Sequence, residues 1–329
     1  MLKLLDIVKV HVELTTKCNA RCPMCPRNYR GYNFNSGYPD VELSYMQFQQ
    51  IFSPEFLKQL IPTDPNWQWG FFFNGNLGDF ALASDGIEIV QYLVDHGVQV
   101  EINTNGSQRS TAWWAKLAQK DVQIGFALDG LQDTHHLYRQ DTNWQKVINN
   151  AVSFINAGGK AIWRFIPFDH NKHQEQQCKE LAQQLGFYKF ENINSGRDRG
   201  PVFNRQGEFS HWLGNDQPQT PPTIKNLLEQ HTQHIKISTT QTQNVNINCR
   251  HKKNREIYVG ADGSVYPCCY LGFYPETMLH TGNTQLKPLV RENNALQYGL
   301  EHSLSWFDSV EQTWNNPPTL SQCVNSCGI

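Results

Sequence analysis

No apolar run in the chain approaches the length of a membrane span, and the opening residues Met1-Leu2-Lys3-Leu4-Leu5-Asp6 turn polar too soon for a signal peptide. The expectation is a cytoplasmic protein with no membrane partner. An excess of one charge is also missing. The 28 Lys and Arg against 30 Asp and Glu leave a net charge of −2, which gives no global attraction to nucleic acid or anionic lipid. The one basic stretch, Arg250 to Arg255, is short and reads as a solvated face. There is no internal repeat, so a solenoid is excluded. What the chain does have is 329 residues, 39% of them hydrophobic and 12% aromatic, enough for one large barrel and a small module. It also has nine cysteines. Without a secretion signal these argue for reduced, metal-binding thiols and against a disulfide framework.

Three of the cysteines fall in one short loop, Cys18-Asn19-Ala20-Arg21-Cys22-Pro23-Met24-Cys25. The C-x3-C-x2-C spacing can turn three thiolates toward one place, which suits a soft metal or an iron–sulfur cluster. A structural zinc site wants a fourth ligand close by. His11, on the preceding strand, is a poor candidate for it. Three ligands on a four-iron cube leave one iron open.

Strand and helix patterns alternate along the first part of the chain. Alternation over Ile7–Leu14 predicts a strand that feeds the cysteine loop. Ser44-Tyr45-Met46-Gln47 is a capping box opening a helix, and Ser53-Pro54 starts another. Strands are predicted over Trp67–Phe73, Val98–Ile102, Val122–Leu128, Ala161–Ile166 and Phe187–Ile193. Helices are predicted over Ile87–Val94 and Trp113–Ala118, from Trp144 to Ile155, and along the Cys178, Leu181, Ala182 and Leu185 stripe. Six such units fit an α/β fold, a partial (β/α)6 TIM-like barrel, with chemistry at the C-terminal strand ends. Residues 1–194 form this barrel. Residues 195–245, rich in Gln, Asn, Thr and Pro, read as a wrapping linker with one helix near Ile224–Gln230. Residues 246–329 read as a small α+β Fe–S module.

In that module Cys249 and Cys268 flank a predicted β-hairpin, Glu256–Val259 and Ser264–Tyr266 around Asp262-Gly263, and Cys323 and Cys327 follow as C-x3-C. Four cysteines can close a site for a structural or electron-carrying cluster, with a zinc ribbon as the alternative. Cys269 reads as a packing residue or reserve ligand, and Cys178 as a buried small hydrophobe.

The C-x3-C-x2-C loop just after a first strand resembles the signature of the radical SAM enzymes, with Met24 where an aromatic residue is usual. The resemblance implies that Cys18, Cys22 and Cys25 hold a [4Fe–4S] cluster whose open iron chelates S-adenosylmethionine. Reductive cleavage then gives a 5′-deoxyadenosyl radical that abstracts a substrate hydrogen. Asn74-Gly75-Asn76-Leu77-Gly78-Asp79 looks like the family's "GGE" turn, with Asp for Glu. Asn103-Thr104-Asn105-Gly106 looks like its "TNG", and Ala127-Leu128-Asp129-Gly130 like its "S-x-D-G". The implied SAM contacts are Asn76, Gly78, Asp79, Asn105, Asp129 and Arg164, the last meeting the carboxylate or else pairing with a neighbouring acid. Thr134 to Arg139 is family-like, with no chemistry assigned.

C-x13-G-x4-C followed by a terminal cysteine pair resembles the twitch module, the shorter relative of SPASM. It implies a second, auxiliary [4Fe–4S] cluster on Cys249, Cys268, Cys323 and Cys327. The implied reaction is an oxidation or bond formation on a peptide or protein side chain, with flavodoxin or ferredoxin as electron donor. A small polar metabolite such as a sugar or aminocyclitol is the alternative. RNA modification and a non-enzymatic metal scaffold stand further off.

Overall fold

A computed structural model describes residues 2–32, 39–60, 70–194, 200–214, 220–230, 245–273, 285–315 and 319–329. The predicted stretch Trp67–Trp69 lies outside the described residues. Six strands, β1 (Lys9–Val12), β2 (Gly70–Phe73), β3 (Val100–Thr104), β4 (Gln123–Ala127), β5 (Lys160–Phe165) and β6 (Lys189–Asn192), run side by side and parallel in chain order. The helices between them include α1 (Tyr45–Ile51), α2 (Pro54–Gln59), α3 (Gly86–Asp95), α4 (Thr111–Ala118), α5 (His135–Tyr138), α6 (Trp144–Asn156) and α7 (Glu175–Gln184). On α6, Val147, Ile148, Ala151 and Phe154 are buried at helical spacing. Under α1, Phe48 and Phe52 meet Phe71 of β2, the Phe52 and Phe71 rings edge to face at 4.9 Å.

The segment expected to be a linker holds structure of its own. β7 (Gly200–Phe203) and β8 (Phe209–Leu213) form an antiparallel hairpin, and residues 224–230 are helical. The hairpin escaped the sequence reading because β7 contains Pro201 and β8 is short and polar on one face, so neither shows an alternating apolar run. Val202 and Leu213 pack with Ala20, Cys22, Tyr138, Ile166 and Phe168 in an apolar cluster distinct from the main core. The hairpin therefore walls the cysteine loop.

The C-terminal hairpin expected in a separate module instead extends the barrel sheet. β9 (Glu256–Val259) pairs parallel with β1, His11 opposite Tyr258, and β10 (Val265–Tyr266) pairs antiparallel with β9. The order is β10-β9-β1-β2-β3-β4-β5-β6, so β1 lies inside the sheet. Among the described residues β6 and β10 do not pair, and the barrel is partial. Among the described residues no helix is long and apolar enough to cross a membrane.

The capping box at α1 is closed in both directions: Gln47 N donates to Ser44 Oγ at 3.2 Å, and Ser44 N donates to Gln47 Oε1 at 3.0 Å. Replacing Ser44 by Ala should lower stability by about 1 kcal/mol, and Ser44→Asp should restore most of it. Urea midpoints of the three proteins read the difference.

Candidate functional site

Beyond Val12 the chain leaves β1 and turns into the cysteine loop at the C-terminal edge of the sheet. Cys25 N donates to Cys22 O at 3.0 Å and Asn28 N to Cys25 O at 2.9 Å, successive turns that fold the loop back on itself. Cys18, Cys22 and Cys25 all line one cavity of about 360 Å³. Asn76, Gly78, Asp79, Asn105 and Arg164 line it as well. Burial, then the Asp79 carboxylate and the neighbouring thiols, push the Cys18 thiol up, so its thiolate is favoured only when a cation is there to hold it.

The loop after β2 is shaped by a residue the sequence reading passed over. Glu13 is 1% exposed, and its Oε1 accepts from Leu77 N at 2.6 Å and Gly78 N at 2.8 Å, while Oε2 faces the Tyr258 hydroxyl at 3.3 Å. Beside it the buried His11 bonds Asn74 O through Nε2 at 2.5 Å; burial lowers its pKa to about 4, so the ring is neutral and donates. In the sequence Glu13 is one polar residue of an alternating strand, indistinguishable from a solvent-facing one. Gly78 is required for a reason other than ligand approach. A Cβ there would stand 1.6 Å from the Thr15 carbonyl oxygen, so any side chain is excluded by the chain itself.

The implied SAM contacts divide. Asp79 lines the cavity but is heavily engaged: Thr104 Oγ1 and Asn105 N donate to it at 2.7 Å and Ala81 N at 3.0 Å. Burial raises its pKa, only partly offset by these bonds and by Arg139. Asn105 Nδ2 lies 3.8 Å from Cys18 Sγ. Asn76 is turned toward the C-terminal part of the chain, its Nδ2 donating to Cys269 O at 2.8 Å and Gly272 O at 3.2 Å. Arg164 pairs with Glu101 at 2.5 Å and lies 3.5 Å from Glu191, the neighbouring-acid alternative.

Asp129 does not reach the cavity. It is fully buried, with Ile166 N donating to Oδ1 at 2.7 Å and Arg139 Nε to Oδ2 at 2.6 Å. Asp129 instead holds Arg139, and Arg139 lines the cavity. Arg139 went unassigned because nothing in a short His-rich segment tells which side chain turns inward. His135 buttresses the pair. Asp129 N donates to its Nδ1 at 3.2 Å, and its Nε2 meets Thr142 Oγ1 at 3.0 Å, an oxygen whose hydrogen goes to Arg139 O. His135 is thus neutral, and burial pushes its pKa down to about 3.

Cys249, Cys268, Cys323 and Cys327 line a second, smaller cavity. Cys323 and Cys327 are four apart on the helix Ser321–Cys327, which puts both thiols on one face. Asn248 N donates to Cys327 O at 2.8 Å and ties that helix to the Cys249 segment. Burial pushes the Cys268 and Cys323 thiols up, the latter to about 12. Cys269 is not part of this lining; it packs on the main core, as Cys178 does in full burial.

Among the described residues no three His, Cys, Asp or Glu side chains close on a single ion. A four-iron cube takes each thiolate on a different iron, so its ligands ring a volume instead of a point. The first cavity fits such a group with a polar ligand beside it. Three thiols line it together with Asn103, whose Oδ1 is buried without a hydrogen-bond partner.

No family model matches the chain, and no curated relative matches it in sequence. Solved structures do. Streptococcus suis SuiB bound to S-adenosylmethionine aligns with a TM-score of 0.57 over 97% of this chain and 68% of its own, at 11% identity. SuiB bound to the precursor peptide SuiA aligns with a TM-score of 0.55 over 97% and 67%, also at 11%. anSMEcpe with bound AdoMet aligns more loosely, with a TM-score of 0.48 over 94% and 96%, at 14%. The chain shares the fold of SuiB, an α/β partial barrel.

Two outcomes are expected from this geometry. Glu13→Ala strands two buried N–H groups and should cost about 2–5 kcal/mol, whereas Glu13→Gln keeps one acceptor and should cost less; denaturant unfolding compares them. For His135 the folded pKa lies below the unfolded 6.5, so the unfolded chain binds the proton first and stability falls with falling pH. That share is about 2 kcal/mol between about pH 7 and 5, and it should vanish in His135→Gln, whose unfolding free energy should show a shallower pH slope than wild type on metal-free protein.

Proposed function

We propose that the protein is a radical SAM enzyme. The observation that carries the reading is the meeting of Cys18, Cys22 and Cys25, from eight consecutive residues, with the ends of β2 and β3 in one cavity at the C-terminal edge of the sheet. In parallel α/β folds that edge is where ligands bind. A [4Fe–4S] cluster on these thiolates, with S-adenosylmethionine, supplies a hydrogen-abstracting radical when bound.

The chain's own residues do the rest. Glu13 and the bare backbone of Gly78 hold the loop after β2 against β1. Asp79 and Asn105 present an anion and an amide to the cavity, suited to the ammonium and carboxylate of the SAM methionine moiety. The apolar cluster of Ala20, Tyr138, Ile166, Phe168 and the hairpin's Val202 and Leu213 buries the Cys22 thiol, with Cys18 and Cys25 packed at its edge.

Cys249, Cys268, Cys323 and Cys327 are the ligands proposed for an auxiliary [4Fe–4S] cluster that supports oxidation or bond formation. A reduced flavodoxin or ferredoxin in the cytoplasm would donate the electron. For the substrate we favour a peptide or protein side chain, supported by the likeness to SuiB, a structure of which holds its precursor peptide. A small polar metabolite is the second reading.

Iron and sulfide per chain after anaerobic reconstitution test the assignment. Wild type should hold about eight irons, and Cys18/Cys22/Cys25→Ala and Cys249/Cys268/Cys323/Cys327→Ala about four each. In parallel, Asp79→Ala should weaken SAM binding by about tenfold or more, roughly 1.4 kcal/mol. Zinc in place of iron at the first site, or SAM affinity indifferent to Asp79, would refute the reading.

A further inference from the structure

Cys22 is the buried member of the first cysteine set and has a cation beside it. Arg139 Nη1 lies 3.7 Å from Cys22 Sγ, within hydrogen-bond range for sulfur. The guanidinium is planar, so fixing one nitrogen aims the others. Nε is fixed by Asp129 Oδ2 at 2.6 Å. Asp129 cannot swing: it is fully buried, its other oxygen takes Ile166 N, and its own N–H is bonded to His135. Tyr138 lies under the guanidinium, the ring centroid 5.2 Å from Cζ. The Arg139 side chain is 14% exposed, so solvent screens it little. Cys18 has a neutral donor instead, Asn105 Nδ2 at 3.8 Å. A fixed charge on one ligand sulfur is more than packing requires, since an ion pair with Asp129 alone would satisfy the arginine.

We infer, resting on the reading above, that Arg139 is a positioning residue that sets the reduction potential of the cluster carried by Cys18, Cys22 and Cys25, making it easier to reduce. One electron from an external reductant enters the oxidised cluster, whose charge becomes more negative by one unit. No proton need follow, because arginine stays protonated throughout. A cation and a hydrogen bond at a ligating sulfur favour the more negative form, and such bonds and charges are among the levers that set cluster potentials. Asp129 supplies orientation: without it the guanidinium could turn to solvent.

The test is a redox titration of the reconstituted full-length protein, followed by electron paramagnetic resonance, for wild type, Arg139→Gln and Arg139→Lys. At a fixed potential Arg139→Gln should hold about tenfold less reduced cluster at this site, about 59 mV for one electron. Arg139→Lys, which keeps the charge without the fork, should recover part of it. The auxiliary cluster is the internal reference and should titrate unchanged in all three. The wild-type potential should also be flat over the pH range in which histidines titrate. A wild-type potential in both variants overturns the inference, and so does loss of iron from this site in both, which would make Arg139 a structural prop. If only Arg139→Gln loses iron, the lysine variant decides: an intermediate shift supports the inference and none overturns it. Failure of wild type to bind iron at this site would show earlier, in the metal count, and would refute the functional reading itself.

Discussion

A single buried carboxylate fixes how the pieces of this protein meet. Glu13 stands just past the end of β1, where the chain leaves the sheet for the first cysteines, and takes hydrogen bonds from the loop that follows β2 and from Tyr258 of β9. A charge out of water must be surrounded by donors, and these donors come from segments far apart in the sequence. The bond set therefore forms only when β1, β2 and β9 are in register together. A hydrophobic residue at the same place would tolerate a slipped loop, whereas a carboxylate with unmet lone pairs would not.

The loop after β2 consequently belongs to both ends of the molecule. Through Gly78 and Asp79 it rests on the backbone of Thr15 and Lys17, next to Cys18. Through Asn76 it reaches the carbonyl of Cys269, the residue after Cys268. A shift of either cysteine set is felt by the same six residues. The β7–β8 hairpin adds a third support from outside, with Arg21 reaching both Gly31 O and Phe203 O.

Much of this was legible before the structure. Alternation placed β1, spacing on a helical stripe placed α6, and Asp262-Gly263 placed the hairpin turn, because each is a local pattern with a fixed period. The cavity-lining loops could be read for the same reason: each directly follows a strand, and strand ends share an edge in a parallel sheet. Partners could not be read. Nothing local distinguishes Glu13 from the exposed polar residues of a strand, tells Asn76 to face Cys269, or sends Arg139 inward and keeps Asp129 behind it. The parallel pairing of β9 with β1 joins residues some two hundred and fifty positions apart, beyond any short-range signal. The hairpin hidden between Gly200 and Leu213 lacked the alternation that marks a strand.

That pairing also bears on how the protein is made. β1 leaves the ribosome well before β9, and one of its two edges is covered only by that strand, which begins at Glu256. At usual rates of synthesis the wait is on the order of ten to fifty seconds. Throughout it a row of unpaired amide and carbonyl groups stands open on a nascent barrel already carrying the first three cysteines, an invitation to pair with the wrong chain. The nascent polypeptide is thus aggregation-prone for as long as β9 is still to come, the β1 edge of the sheet staying unsealed after all six parallel strands have been made.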